Sequence, residues 1–305
     1  MSEHIVHTAV YEDCMNLINI SEEICEEFKV AVLKYKDFGQ LGSITVSGDR
    51  FTFKLLKEYK EKWNTRTPED RIDLKLAFVL GWISHRAADR QMKPIWRLGH
   101  IKQISSQQSL KPTECSIYQE AHIFREYYIH DEIFASSIMQ QNQCQLSSSI
   151  GIKNHDAFVT LARSVLKRCL IETHTLKPNC EDINGWIDRL YDIQQNFYVD
   201  INRYSNAVLN PDPQKYKMYI VDVNFFDSND PVIILCKKIR NGAPVDTAQI
   251  TASIGSKNSS HYAKAVALGY NYIKAANDYF KGFIDFETLK DRLDIDKKGP
   301  AGVTV

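Results

Sequence analysis

The stretch Leu74–Pro94, LKLAFVLGWISHRAADRQMKP, decides the predicted fold class because its apolar residues recur at the spacing of an α-helix. His85 and Asp89 stand one turn apart within it, with Cβ atoms about 5–6 Å from each other, so their side chains can converge on one cation. A carboxylate without a partner inside an apolar helix is costly, which favours a ligand site. The alternative is that His85 is a hydrogen-bonded core histidine and Asp89 an acid on the helix surface.

A second helical segment, Glu114–Gln143, repeats this arrangement of a histidine followed by an acid. Its residues His122, Glu126 and His130 follow one another at steps of four, so His122 and Glu126 share one face. Metal sites in helical proteins take ligands from facing helices. The two pairs together therefore predict one cleft into which all four side chains point. For His130, the solvated edge of a helix is the simpler explanation.

Periodic segments elsewhere predict a mostly α-helical single domain, residues 1–296, followed by a flexible tail, residues 297–305. The glycine-containing segment Lys36–Ser43 is predicted to be a loop. Two short aliphatic segments, Val232–Ile239 and Thr247–Ile254, fit both a strand and a buried helix. The other predicted helices are His4–Phe28, Lys29–Tyr35, one capped near Asp49, a central one from Pro68 to about Pro94, Phe158–Glu172, Ile183–Leu209, one from Pro213 to about Phe226, and Ser260–Phe280.

Composition and motifs exclude several classes of protein. The chain has 305 residues, with 38 basic and 38 acidic side chains, so its overall charge does not indicate nucleic-acid binding. Its seven cysteines form no Cys-x-x-Cys motif, which predicts reduced thiols. No signal peptide and no apolar run of about 20 residues is present, so we expect a soluble, cytoplasmic protein. Phosphate-binding glycine loops and the GxSxG motif of serine hydrolases are also absent.

Two motifs, GWISHRAADRQMKP at residues 81–94 and EAHIFRE at residues 120–126, resemble the zinc-dependent phospholipase C family and the related S1/P1-type nucleases. Weaker similarities are the region of His7 and the stretch GQLGSITVSGD at residues 39–49. The resemblance covers about residues 1–134. It implies the family's all-α fold, a multi-helix bundle.

The same resemblance implies a set of site residues. Asp49 would be the catalytic carboxylate that orients or deprotonates the attacking water. Lys93 stands where the family has a histidine, and an ammonium cannot ligate a metal; it would instead bind a substrate phosphate, or pair with an acid of a metal-free site. Fully buried in such a site, it would make Lys93→Ala cost about 3–5 kcal/mol. The implied zinc ligands are His7, His85, Asp89, His122 and Glu126.

Two functions remain open from the sequence. The first is a metal-dependent phosphoesterase acting on a phosphodiester, such as a phospholipid head group or a nucleotide. One or two zinc ions would serve it, because a divalent cation lowers the pKa of bound water toward about 7 and holds a phosphoryl oxygen. The second is a helical binding protein that has kept the fold and lost the metals. A di-iron carboxylate bundle is disfavoured because paired Glu-x-x-His repeats are absent.

Overall fold

The computed structural model describes residues 4–45, 49–102, 112–128 and 179–295, and all regular elements in these ranges are helical. The absence of strands from these ranges confirms the predicted all-α class. The α-helices are α1 (His4–Ile20), α2 (Glu26–Lys34), α3 (Lys36–Ile44), α4 (Asp49–Lys62), α5 (Ile72–Lys102), α6 (Pro112–Tyr128), α7 (Ile183–Leu209), α8 (Pro213–Tyr216), α9 (Pro231–Arg240), α10 (Thr247–Gly255), α11 (His261–Lys281) and α12 (Phe286–Arg292). Short 3₁₀ turns at Trp63–Thr65 and Pro68–Asp70 precede α5, and a π-helical turn at Lys217–Val221 follows α8.

The chain divides into two compact units. Unit 1 takes Glu3–Val6 and Lys111–Ile220, and unit 2 takes His7–Leu110 and Val221–Val305, the first two residues aside. The predicted single domain of residues 1–296 stays a prediction, because a compact unit is not shown to fold by itself. The predicted tail and the predicted helix Phe158–Glu172 lie outside the described residues.

Unit 2 is organised around α5, against which α2, α3, α4 and α11 pack. Apolar residues such as Leu76, Val79, Leu80 and Met92 are completely buried although they lie on different sides of this helix. A helix that is apolar around most of its circumference belongs in a protein interior. Each such side chain contributes about 1.5–3 kcal/mol by leaving water.

Helix α3 occupies the segment predicted to be a loop, so that prediction is wrong. Its glycines do not mark turns; they let two helices touch. A Cβ on Gly42 would overlap the carbonyl of Phe78, and a Cβ on Gly81 would overlap the carbonyl of Gly39. Because neither Gly42 nor Gly81 has a side chain, α3 lies directly on the backbone of α5.

Two other helix boundaries differ from the prediction. Helix α5 continues through Pro94 to Lys102, where the sequence predicted an end near the proline. Met92 and Ile95 on either side of Pro94 are completely buried, and their packing offsets the roughly 3 kcal/mol that a proline costs inside a helix. The predicted helix His4–Phe28 is interrupted after Ile20, and α2 starts at Glu26.

Tertiary hydrogen bonds cause that interruption. The hydroxyl of Ser21 is 2.8 Å from the hydroxyl of Tyr270, and the amide oxygen of Asn277 accepts a hydrogen bond of 2.8 Å from the backbone N–H of Cys25. Side chains of α11 thus form hydrogen bonds with this segment, and one of these bonds takes the backbone N–H of Cys25, which a continuous helix would pair with a backbone carbonyl.

The two ambiguous aliphatic segments are helical, in α9 and α10, and α11 and α7 match their predicted ranges to within one residue. The segment predicted to run from Pro213 to about Phe226 ends earlier, at Val221. Within the residues described, no helix combines the length and the apolar character that a membrane crossing requires.

Unit 1 is built on the packing of α6 against α7. The buried carboxylate of Glu120 accepts hydrogen bonds from the backbone N–H of Ile5, at 2.9 Å, and from the hydroxyl of Tyr204. Asp212 caps α8 and donates its own N–H to the hydroxyl of Tyr118 at 3.1 Å. These bonds hold α6 and α7 in register with the start of α1.

Candidate metal-binding site

Three of the predicted ligands meet in unit 2. His7 comes from α1, and His85 and Asp89 come from α5. One ligand atom from each lies within 4.8 Å of the other two. The Nε2 atom of His7 is 3.3 Å from Oδ1 of Asp89, and the Nε2 atom of His85 is 3.2 Å from Oδ2. Each carboxylate oxygen therefore faces one imidazole.

The backbone of α3 fixes the orientation of His85. Its Nδ1 atom is 2.8 Å from the carbonyl oxygen of Ser43. Since a carbonyl only accepts hydrogen bonds, Nδ1 carries the proton and Nε2 is turned toward Asp89. Beside an ionised carboxylate, Nε2 either carries a second proton or directs its lone pair at a shared cation. In many metal sites a backbone carbonyl accepts the N–H of a ligating histidine in this way and fixes the orientation of its ring.

The close contact of α3 with α5 places that carbonyl. Ser43 follows Gly42 directly, and a Cβ on Gly81, one turn before His85, would already lie 3.0 Å from the N atom of Ser43. The local sequence does not predict the hydrogen bond between Ser43 and His85, because the glycines that permit the close crossing of α3 and α5 are also typical of a loop. A clue was available in Gly39 and Gly42, which are three residues apart and share a helix face.

The two imidazoles are stacked. The ring centroids of His7 and His85 are 4.3 Å apart, with 17° between the ring planes. Stacking keeps both Nε2 atoms on the side of Asp89, so the three ligand groups form a compact set. Although only a weaker similarity to the family points to His7, it belongs to this set.

The cluster is buried. The side chains of His7, His85 and Asp89 are 0%, 3% and 7% exposed. Burial by itself raises the pKa of Asp89, but the charge of His85 and the contacts of both imidazoles outweigh it and hold that pKa well below its ordinary value. The carboxylate is therefore ionised in the interior, and the alternative that Asp89 is a surface acid is wrong.

Lys93 completes the arrangement one turn after Asp89. Its Nζ atom is 2.6 Å from Oδ2 of Asp89, and its side chain is 36% exposed. The ammonium is thus the member of the cluster that faces solvent. This ion pair is the contact that the sequence predicts for a metal-free site.

The remaining predicted residues belong to other helices or are described only in part. His122 and Glu126 belong to α6 in unit 1, where Nδ1 of His122 is 3.1 Å from the hydroxyl of Tyr216. Their role as ligands, and a cleft shared with the cluster of unit 2, stay predictions. Asp49 is the first residue of α4, and its side chain lies outside the described part of the structure.

The donor set fits a divalent cation. Two imidazole nitrogens and one carboxylate oxygen are the ligands that catalytic zinc sites use, with the fourth position left for water or substrate. Manganese and iron accept the same donors. When Nε2 of His85 ligates a cation, its other ring nitrogen needs a hydrogen-bond acceptor, and the carbonyl oxygen of Ser43 provides it.

Comparison with known proteins adds no relative: no protein-family model, curated protein or solved structure matches this chain.

Proposed function

We propose that His7, His85 and Asp89 bind one divalent cation, preferably zinc, and that the protein is a metal-dependent phosphoesterase acting on a phosphodiester. The observation that carries the proposal is the meeting of three ligand atoms within 4.8 Å of one another in the interior of unit 2. The resemblance of the two sequence motifs to zinc-dependent phospholipases C and S1/P1-type nucleases supports the reaction class. A cation bound here would polarise a phosphoryl oxygen and supply a water activated as nucleophile.

The protein's own residues would do the rest. The carboxylate of Asp89, which is ionised at neutral pH, would supply negative charge, and the carbonyl of Ser43 would hold His85 so that its Nε2 atom could ligate the cation. Lys93 reaches the solvent edge of the cluster, where it would hold an oxygen of the substrate phosphate as a point charge. In the proposal Asp49 orients or deprotonates the attacking water.

Metal content of the purified protein tests the proposal. After incubation with zinc and gel filtration, we expect about one zinc per chain, lost on treatment with a chelator. His85→Gln should lower the zinc content strongly, because it removes a ligand. His261→Gln is the matched control in unit 2, since His261 begins α11 and is not part of the cluster.

Hydrolysis of bis(p-nitrophenyl) phosphate then tests the reaction. We expect zinc-dependent release of nitrophenolate by the wild type and His261→Gln, and none by His85→Gln. A protein that binds zinc through these residues but hydrolyses no phosphodiester would refute the phosphoesterase assignment and retain the metal site.

One observation favours a second function, a helical binding protein without metal. The ammonium of Lys93, 2.6 Å from Asp89, already neutralises the carboxylate. Zinc absent from wild type and from Lys93 variants alike would support this function and exclude the first.

A further inference from the structure

We infer that Lys93 makes metal binding depend on an oxyanion. Its ammonium pairs with Oδ2 of Asp89, an atom that the metal needs, until a phosphate-type anion binds the ammonium instead. This inference rests on the proposed metal site. It concerns regulation of that site by its substrate class and goes beyond the chemistry assigned to it above.

The distances show that Lys93 holds the position a metal would need. Oδ2 of Asp89 is 2.6 Å from the ammonium and 3.2 Å from Nε2 of His85, whereas Oδ1 is 3.3 Å from Nε2 of His7. The lysine contact is the shortest of the three. A divalent cation placed among the same atoms would repel the ammonium, so metal and lysine compete for Asp89.

Of the four side chains, Lys93 is the one that is able to move. His7 and His85 are enclosed, with side chains 0% and 3% exposed, and His85 is held by Ser43. The side chain of Lys93 is 36% exposed and ends a flexible chain of four carbons. Rotation of that chain toward solvent frees Oδ2 without disturbing the helix.

Charge balance identifies the class of ligand that favours this rotation. When both imidazoles ligate a metal they are neutral, and Asp89 and Lys93 then cancel each other. Adding a divalent cation leaves an excess of two positive charges at the solvent edge. A phosphodiester or phosphate monoester anion offsets that excess and accepts the hydrogen bonds that Lys93 no longer donates to Asp89. Metal and oxyanion should therefore bind cooperatively.

The cooperation has a measurable size and is reciprocal. If the anion raises the affinity for metal by some factor, the metal raises the affinity for the anion by the same factor, typically about 5–150-fold. For wild-type protein we expect saturating dimethyl phosphate, a monoanion, to tighten zinc binding by about tenfold, in the lower part of that range.

Titration of zinc against a chromogenic chelator, with and without dimethyl phosphate, tests the inference on the full chain. We expect Lys93→Met to bind zinc about tenfold more tightly than wild type without the anion, and to respond little to it. Lys93→Gln, a second variant without the charge, should behave in the same way. Lys75→Met is the control, because Lys75 is an exposed lysine near the start of α5; it should match wild type in both conditions.

The outcomes separate this inference from the proposed function. If the zinc affinity of wild type does not change with dimethyl phosphate, or if both Lys93 variants bind zinc no more tightly than wild type, the inference is overturned and the metal site stays intact. Zinc binding only by the Lys93 variants supports the competition. Zinc binding by none of the proteins overturns the metal site and the inference together.

Discussion

A methyl group on Gly81 should separate α3 from α5 and thereby loosen the candidate site. In Gly81→Ala the new Cβ would overlap the carbonyl oxygen of Gly39 and lie 3.0 Å from the N atom of Ser43. Both neighbours are backbone atoms of a helix, which cannot turn aside as the end of a flexible side chain can. The helices must move apart.

The cost follows from two unfavourable contributions and one favourable contribution. Forcing a methyl group into a packed contact costs about 1–3 kcal/mol, and weakening the bond from His85 to the displaced Ser43 carbonyl costs about 0.5–1.5 kcal/mol. Alanine returns up to about 1 kcal/mol because it favours helix more than glycine does. We therefore expect the free energy of unfolding to fall by about 0.5–4.5 kcal/mol.

Gly255→Ala is the matched control. Gly255 is the last residue of α10, and a Cβ there would meet no atom within 4 Å. This substitution should be neutral or stabilise by about 0.4–1 kcal/mol. Urea unfolding followed by circular dichroism measures both variants, and zinc titration shows whether Gly81→Ala weakens the site. If Gly81→Ala is as stable as Gly255→Ala, the close crossing of α3 and α5 is wrong.

Three further predictions concern buried and paired acids. Asp89→Asn should lower the free energy of unfolding by about 3 kcal/mol, because it leaves two buried imidazoles and an ammonium facing a neutral amide; chemical denaturation measures the loss, and an unchanged midpoint would contradict it. Lys93→Ala should cost only about 1 kcal/mol rather than the value expected for a fully buried lysine, since its side chain is 36% exposed; a loss above about 3 kcal/mol would show that the pair is buried. Asp230 accepts hydrogen bonds from the backbone N–H groups of Ser259 and Ser260, at 2.7 and 2.9 Å. Burial raises its pKa, but these bonds and those from the two hydroxyls outweigh it and lower the pKa. The stabilisation is therefore complete above the unfolded pKa of about 4 and is lost as pH falls below it. Wild type should lose stability more steeply than Asp230→Asn between about pH 5 and 3, and parallel pH profiles would refute this.

The sequence predicted those parts of the fold that depend on local pattern. The apolar period of α5 placed His85 and Asp89 on one face, and Asp182 marks the start of α7 because its carboxylate accepts the N–H of Gly185 at 3.0 Å. The stacking of His7 on His85 joins residues that are 78 positions apart, and only the weaker part of the family resemblance suggested it.

Features that depend on tertiary contacts were not predictable in this way. Gly39 and Gly42 suggest a turn until the backbone of α5 is known to lie against α3. The helix break before Cys25 follows from hydrogen bonds to Asn277 and to other side chains of α11, far along the chain. A proline inside a helix likewise looks like an end when the buried residues around it are unknown.

The position of His7 on α1 also has a consequence for folding. A cation held by His7 and His85 would close a loop across the 78 positions that separate them, in the manner of a reversible cross-link. Closing a loop of that length in the unfolded chain costs about 4.5 kcal/mol of chain entropy. Zinc would thus bind the folded protein almost exclusively, and each tenfold excess of free zinc over its dissociation constant would add about 1.4 kcal/mol to the stability of the folded protein.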